Sequence, residues 1–180
     1  MAQKISVQLK NRIKKIKALV MDVDGILTNG KIVIDHQGNE TKYFDVQDGL
    51  GIVLMKKAGY KTAIISARTA SAVTARAKDL KIDKIFQDAQ PKTNAFQTLL
   101  KEFGLKKEEI CFMGDDLTDI CVLKEVGLAV SVPNGSADTK RFAHYITTKY
   151  GGEGAVREVV ELILRVKGEW KKIVEEIGAL

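Results

Sequence analysis

Lys17-Ala18-Leu19-Val20-Met21-Asp22-Val23-Asp24-Gly25-Ile26-Leu27-Thr28 is an apolar run that stops abruptly at a carboxylate. A short apolar run of this kind, bounded by polar and turn residues, reads as a buried strand. The same pattern recurs down the chain. Lys61 to Ile65 runs into Ser66, Lys84 to Phe86 is brief, and Ile110 to Met113 runs into Gly114-Asp115-Asp116. Leu128 to Val132 and Tyr145 to Thr147 complete the set. Between them, 48–58, 70–80, 92–103, 117–126 and 136–142 carry helical patterns. Such alternation predicts an α/β fold, a Rossmann-like parallel sheet with helices on both faces. One insertion departs from it. Ile32 to Ile34 and Thr41 to Val46 read as two strands around His36-Gln37-Gly38-Asn39, a β-hairpin within about 30–46. A C-terminal tail over about 150–180 reads as helix, with a break at Gly168. No linker or repeat divides the chain, so 1–180 is expected to be one domain without a cap domain.

Composition narrows the function classes. Of 180 residues, 45% are hydrophobic and 29% charged, which fits a globular chain. No apolar run reaches the roughly 18 residues of a membrane span, and no secretory leader is legible, so a cytoplasmic protein is expected. Cys111 and Cys121 lack metal or redox spacing and read as free thiols. The net charge of +6 sits in residues 1–17, where Lys4, Lys10, Arg12, Lys14, Lys15 and Lys17 face no acid. Ile5, Leu9, Ile13 and Ile16 recur there at helical spacing, so this is an amphipathic helix with a solvated basic face. A nucleic-acid binder would spread its basic face over the fold, so neither nucleic acid nor membrane is an expected partner.

The chemistry-bearing residues fall where the apolar runs end. In open parallel sheets that is where ligands bind, so Asp22, Asp24, Ser66, Asp115 and Asp116 should converge on one crevice. A lone aspartate after a strand ordinarily caps a turn or a helix. Several carboxylates in one crevice need a cation. All-oxygen donors favour Mg²⁺ over zinc or copper. Arg68 follows Ser66 and could hold a phosphate or a carboxylate in its planar fork.

Asp22-x-Asp24-Gly-x-x-Thr28, Ser66, Lys92 and Gly114-Asp115-Asp116-x-x-Asp119 resemble, in order and spacing, the four motifs of the haloacid dehalogenase superfamily. Phe44-Asp45-Val46-Gln47-Asp48-Gly49 and Tyr150-Gly151-Gly152-Glu153-Gly154-Ala155-Val156-Arg157-Glu158 are similar to segments of one capless branch, the 3-deoxy-D-manno-octulosonate 8-phosphate phosphatases. The resemblance implies a Mg²⁺-dependent phosphatase of a sugar-acid phosphate in lipopolysaccharide synthesis. Asp22 would be the nucleophile and Asp24 the acid and base. Ser66 and Lys92 would hold the phosphoryl group. Asp22, Asp115 and the Asp24 carbonyl would hold the metal, with Asp116 and Asp119 behind them. Thr28, Arg68, Asp48, Gly49 and Arg157 would be substrate-binding. The resemblance also implies a homotetramer joined through the hairpins, with the glycine-rich C-terminal segment reaching a neighbour's site. Ala67, where that family often has glycine, and Gln90-Pro91-Lys92-Thr93-Asn94-Ala95 depart from its pattern. The rival assignments are a phosphatase of a sialic-type 9-phosphate or of broad sugar phosphates, and a phospho-acceptor signalling module.

Overall fold

The computed structural model describes residues 5–178; Lys4 and the last two residues of the C-terminal segment lie outside them. Strand β1 (Ala18–Met21) is buried at every position. Its alternate side chains feed two cores. Leu19 and Met21 join Ile52, Met55, Val159 and Ile163 on one face, while Ala18 and Val20 join Phe96, Leu99 and Phe112 on the other. A strand covered on both faces must be apolar throughout.

The elements follow in order. Helix α1 (Val7–Ile13) precedes β1, and the hairpin β2 (Val33–Ile34) and β3 (Glu40–Thr41) follows it. Then come α2 (Val46–Lys57), β4 (Lys61–Ile65), α3 (Ser71–Asp79), β5 (Lys84–Phe86), α4 (Lys92–Phe103) and β6 (Ile110–Met113). The chain continues through α5 (Ile120–Leu123), β7 (Leu128–Ser131), α6 (Ala137–Lys140), β8 (Tyr145–Ile146), α7 (Ala155–Val166) and α8 (Trp170–Glu176). The main sheet has the order β5-β4-β1-β6-β7-β8, and its neighbours are parallel. From β1 the chain winds outward through β4 and β5, then returns to β6 on the other side. This reversal opens a crevice between the ends of β1 and β6. Met21 pairs with both Ile64 and Met113, so the residues just past them emerge side by side. No cap domain stands over these ends, and among the described residues no helix is long and apolar enough to cross a membrane.

Several boundaries differ from the sequence pattern. The second hairpin strand is only Glu40–Thr41, not 41–46. The Asp45 carboxylate accepts from the amides of Gln47 and Asp48 at 2.7 and 3.0 Å, so the backbone turns helical at Val46. The stretch 117–126 splits into a 3₁₀ turn, Leu117–Asp119, and the short α5. The segment read as a tail is largely core. Helix α7 buries Ala155, Val156, Val159, Val160, Leu162, Ile163 and Leu164, and Gly168, at φ +76°, ends it before α8.

Asp48 explains how α7 is seated. Helix α7 starts at Gly154 without a cap of its own. Asp48 Oδ1 accepts from Arg157 N at 2.8 Å, and its Oδ2 accepts from Gly154 N at 3.3 Å. A residue of α2 therefore caps α7 from across the core. Burial first, and then the nearby Asp45, raise the Asp48 pKa to about 6 against the pull of these amides. A carboxyl raised by folding contributes most stability below its unfolded value, and that contribution is lost as pH rises through about 6. Asp48→Ala should cost about 1 to 3 kcal/mol in denaturant unfolding, with a larger penalty at pH 4 than at pH 7.

Candidate active site

Asp22 leaves the end of β1 held by its amide to Met113 O at 2.9 Å. Its Oδ1 accepts from Lys92 Nζ at 2.5 Å. Lys92 opens α4, and the same ammonium donates to Asp119 Oδ1 at 2.6 Å. The second Asp119 oxygen accepts from the amides of Asp115 and Asp116 at 2.9 and 3.1 Å. Asp119 thus ties the loop after β6 to Lys92, and Lys92 ties both to Asp22.

Two glycines make this approach possible. A Cβ on Gly25 would stand 2.0 Å from Asp115 Oδ2, and the residue has φ +96°. A Cβ on Gly114 would stand 2.6 Å from the Cβ of Asp119. Glycine after Asp24 and before Asp115 is therefore a packing requirement of the two loops.

The carboxylates outnumber their cation. Burial first, then the Asp119 charge, push Asp22 up to about 7, although Lys92 pulls it down. Burial first, then Asp22, Asp119 and Asp116, push Asp115 up to about 8. Burial would lower Lys92, but Asp22 and Asp119 outweigh it and hold the ammonium above its usual range. Asp22, Asp115 and Asp119 each bring an oxygen within 4.8 Å of the others. Asp119 has both oxygens engaged, whereas Asp115 Oδ1 is buried without a hydrogen-bond partner. An orphaned carboxylate oxygen beside Asp22, with no nitrogen or thiolate donor in the cluster, fits a hard divalent cation such as Mg²⁺.

Around this pair lies a cleft of about 240 Å³ that also takes in Asp24, Ser66, Arg68 and Asp116. Ser66 is buried at the end of β4, and its Oγ accepts from Arg68 N at 3.2 Å. The Asp24 carboxylate points to the hairpin side. Lys42 Nζ stands 2.5 Å from its Oδ1, and Arg68 Nε stands 3.6 Å from its Oδ2. Glu40 joins both cations, at 2.8 Å from Lys42 Nζ and 2.9 Å from Arg68 Nη2.

Of the other residues expected at the substrate, Thr28 stands behind Asp24, with its Oγ1 3.5 Å from Asp24 Oδ1, and three do not line this cleft. The Thr28 hydroxyl is buried beneath its own loop, near Val23 O and the amide of Gly30 at 3.4 and 3.3 Å. Asp48 is the cap of α7. Gly49 packs under the Arg76 guanidinium, where a Cβ would meet Nη2 at 2.2 Å. Arg157 lies along α7, bonded to Glu161 Oε1 at 3.0 Å and over the Trp170 ring. The glycine-rich segment docks on its own chain: Gly151 N donates to Asn134 Oδ1 at 2.8 Å, and Gly152 N to Ile26 O at 2.8 Å. A Cβ on Gly151 would collide with Gly25 O at 1.7 Å. That contact requires glycine at this position.

Sequence reasoning missed Glu40, Lys42 and Asn134. The first two sat inside or beside an expected strand, with no spacing to mark them. Asn134, which donates to Gly25 O at 3.1 Å, had one signal, its Pro133-Asn134-Gly135 turn directly after β7.

A six-stranded parallel sheet with this aspartate pair at its switch point defines the haloacid dehalogenase-like hydrolases, and the family model of that description matches residues 82–159. The 3-deoxy-D-manno-octulosonate 8-phosphate phosphatase KdsC of Escherichia coli K12 is 36% identical over 92% of this chain and 88% of its own. That of Yersinia pestis is 39% identical over 85% and 82%. A crystal structure of the Moraxella catarrhalis phosphatase, with magnesium ion, phosphate ion and KDO, superposes with TM-score 0.91 at 43% identity, covering 93% of this chain and 97% of that one. The cobalt-bound Haemophilus influenzae protein gives TM-score 0.84 at 32% identity, covering 87% and 92%. The chain belongs to the 3-deoxy-D-manno-octulosonate 8-phosphate phosphatase family.

Because Asp22 and Asp115 hold protons to about 7 and about 8, a cation must displace them to bind. Calorimetric Mg²⁺ titration should give an affinity that rises between pH 6 and pH 8, with proton release. Asp115→Asn should weaken binding at least about tenfold.

Proposed function

We propose that this protein hydrolyses 3-deoxy-D-manno-octulosonate 8-phosphate to the free sugar acid and phosphate, using Mg²⁺ and an aspartyl-phosphate intermediate on Asp22. The observation that carries the reading is the Asp22–Lys92–Asp119 chain of ion pairs beside the orphaned oxygen of Asp115, at the switch point of the sheet. The relatives named for this reaction share the fold over nearly the whole chain.

Asp22 Oδ1 is held by Lys92, which leaves the second oxygen to attack phosphorus in line. Lys92 offsets charge on the nucleophile and on the phosphoryl oxygens, and Ser66 donates to one of them. Asp24, a carboxylate paired with Lys42 and Arg68 in the free chain, must take up a proton in the substrate complex, and it gives that proton to the departing sugar oxygen. It then takes one from the water that cleaves the aspartyl phosphate. Asp119 positions Lys92 and the Asp115 loop, and Asp116 sets the rim of the cleft. Mg²⁺ would be held by Asp22, Asp115 and the Asp24 backbone carbonyl, and when bound it neutralises charge on the phosphoryl group. Phosphoryl transfer depends mostly on such positioning and neutralisation. Arg68, with its fork at the mouth of the cleft, is the residue we assign to the carboxylate of the sugar.

The whole chain, 1–180, acts in this reading as one catalytic domain within a homotetramer in the cytoplasm, supplying lipopolysaccharide synthesis. The hairpin supports the assembly. Ile34 and, just past the second strand, Tyr43 are 63 and 68% exposed, alongside Ile32 and Val33. A two-stranded hairpin bearing this much apolar surface needs cover.

Phosphate release from the octulosonate ester should require Mg²⁺ and fall by about 10³-fold or more in Asp22→Asn. Mg²⁺-dependent release from other phosphates but not from this ester would refute the substrate and keep the chemistry. In light scattering, an Ile34→Lys, Tyr43→Lys pair should reduce the tetramer to smaller species; an unchanged mass would contradict hairpin-mediated assembly.

A further inference from the structure

The second strand of the hairpin does more than lie near the cleft. Glu40, Lys42, Asp24 and Arg68 form a closed quartet of two anions and two cations. Its members are not equally fixed. Lys42 is 2% exposed at the side chain and sits on the Asp24 carboxylate, so its pairing is shielded from water. Arg68 is 46% exposed at the side chain, so its pair with Glu40 is screened and exchanges easily.

The Arg68–Glu40 contact is also incomplete. Glu40 engages a single guanidinium nitrogen, Nη2 at 2.9 Å, while Nε lies 3.6 Å from Asp24 Oδ2. A planar guanidinium binds a free carboxylate through two parallel hydrogen bonds. Glu40 does not do this: its other oxygen is turned to Lys42 Nζ, at 2.8 Å. An untethered carboxylate arriving with a substrate can.

We propose that Glu40 is a specificity-determining residue: in the substrate-free chain its carboxylate occupies the Arg68 fork, and a substrate's own carboxylate replaces it there. This rests on the phosphatase reading above and adds the means by which the cleft selects acidic sugar esters. A neutral ester has nothing to exchange for Glu40, so the quartet stays closed and Arg68 contributes nothing to holding the ester. An acidic ester replaces one end-on contact with a bidentate one, and Glu40 keeps its pairing with Lys42. Lys42 thereby stays beside Asp24 while the Arg68 fork changes partners.

The test compares octulosonate 8-phosphate with its C1 carboxamide, in saturating Mg²⁺, for wild type and Glu40→Gln. Loss of the competing carboxylate should lower KM for the acid about threefold to fivefold, from the small worth of an exposed pair. KM for the amide should move less than twofold. Equal changes for the two esters, or none, would overturn the assignment. If wild type releases phosphate from neither ester, the phosphatase reading falls and the assignment with it. Release with the same acid-to-amide ratio in both proteins overturns the assignment of Glu40 alone. A second measurement avoids any variant that fails to fold. In a crystal of wild type with the free sugar acid, Arg68 should pair with the sugar carboxylate and stand beyond 4 Å from Glu40. A retained Arg68–Glu40 hydrogen bond would contradict the exchange.

Discussion

Asp22, Asp115 and Asp119 share one crevice with a single buried ammonium, Lys92. Like charges about 5 Å apart repel by roughly 3 kcal/mol per pair at an effective dielectric near 20. The fold holds them there, and that constraint accounts for much of the surrounding structure. It explains why Lys92 is buried at the start of α4, why Asp119 satisfies two backbone amides, and why one oxygen of Asp115 is left without a partner. It also explains the chemistry. A site with excess negative charge recruits a divalent cation, and the cation in turn admits a phosphate.

Close approach of these groups needs a tightly packed support. The β1 loop is pressed between Asp115 on one side and Gly151 on the other, with glycine at position 25 as the only residue that fits. Asn134 joins the two supporting segments, bonding Gly25 O and Gly151 N. Behind them, Asp48 fixes the start of α7 and so the end of the glycine-rich segment. Residues remote in sequence thus position Asp22 without touching the cleft.

The strands were legible because buried parallel strands are apolar at every position, and their ends mark the switch point. Asp22, Asp24, Ser66, Asp115 and Asp116, with Arg68 just past Ser66, could therefore be gathered into one crevice from the strand ends, whereas Lys92 and Asp119 joined them only through the resemblance to the family's motifs. Helix ends set by side-chain caps were less legible. Asp45 stops the hairpin earlier than the run Phe44-Asp45-Val46 suggests. Asp48, Gly49 and Arg157 lie in stretches rich in polar residues and glycine, and such stretches serve helix docking as readily as substrate binding. Within this chain their contacts are those of helix docking. Glu40 and Lys42 were invisible because only the fold of the hairpin onto the cleft gives them partners; neither spacing nor composition encodes that contact.

The central claim is that Asp22, and not a water molecule, attacks phosphorus. Borohydride quenching during steady turnover of the octulosonate ester, followed by peptide mass spectrometry, tests it directly, because reduction converts an aspartyl phosphate to homoserine. The account predicts homoserine at position 22 and at no other aspartate. Homoserine at position 24 or 115, or an unmodified Asp22 under conditions of full turnover, would contradict it.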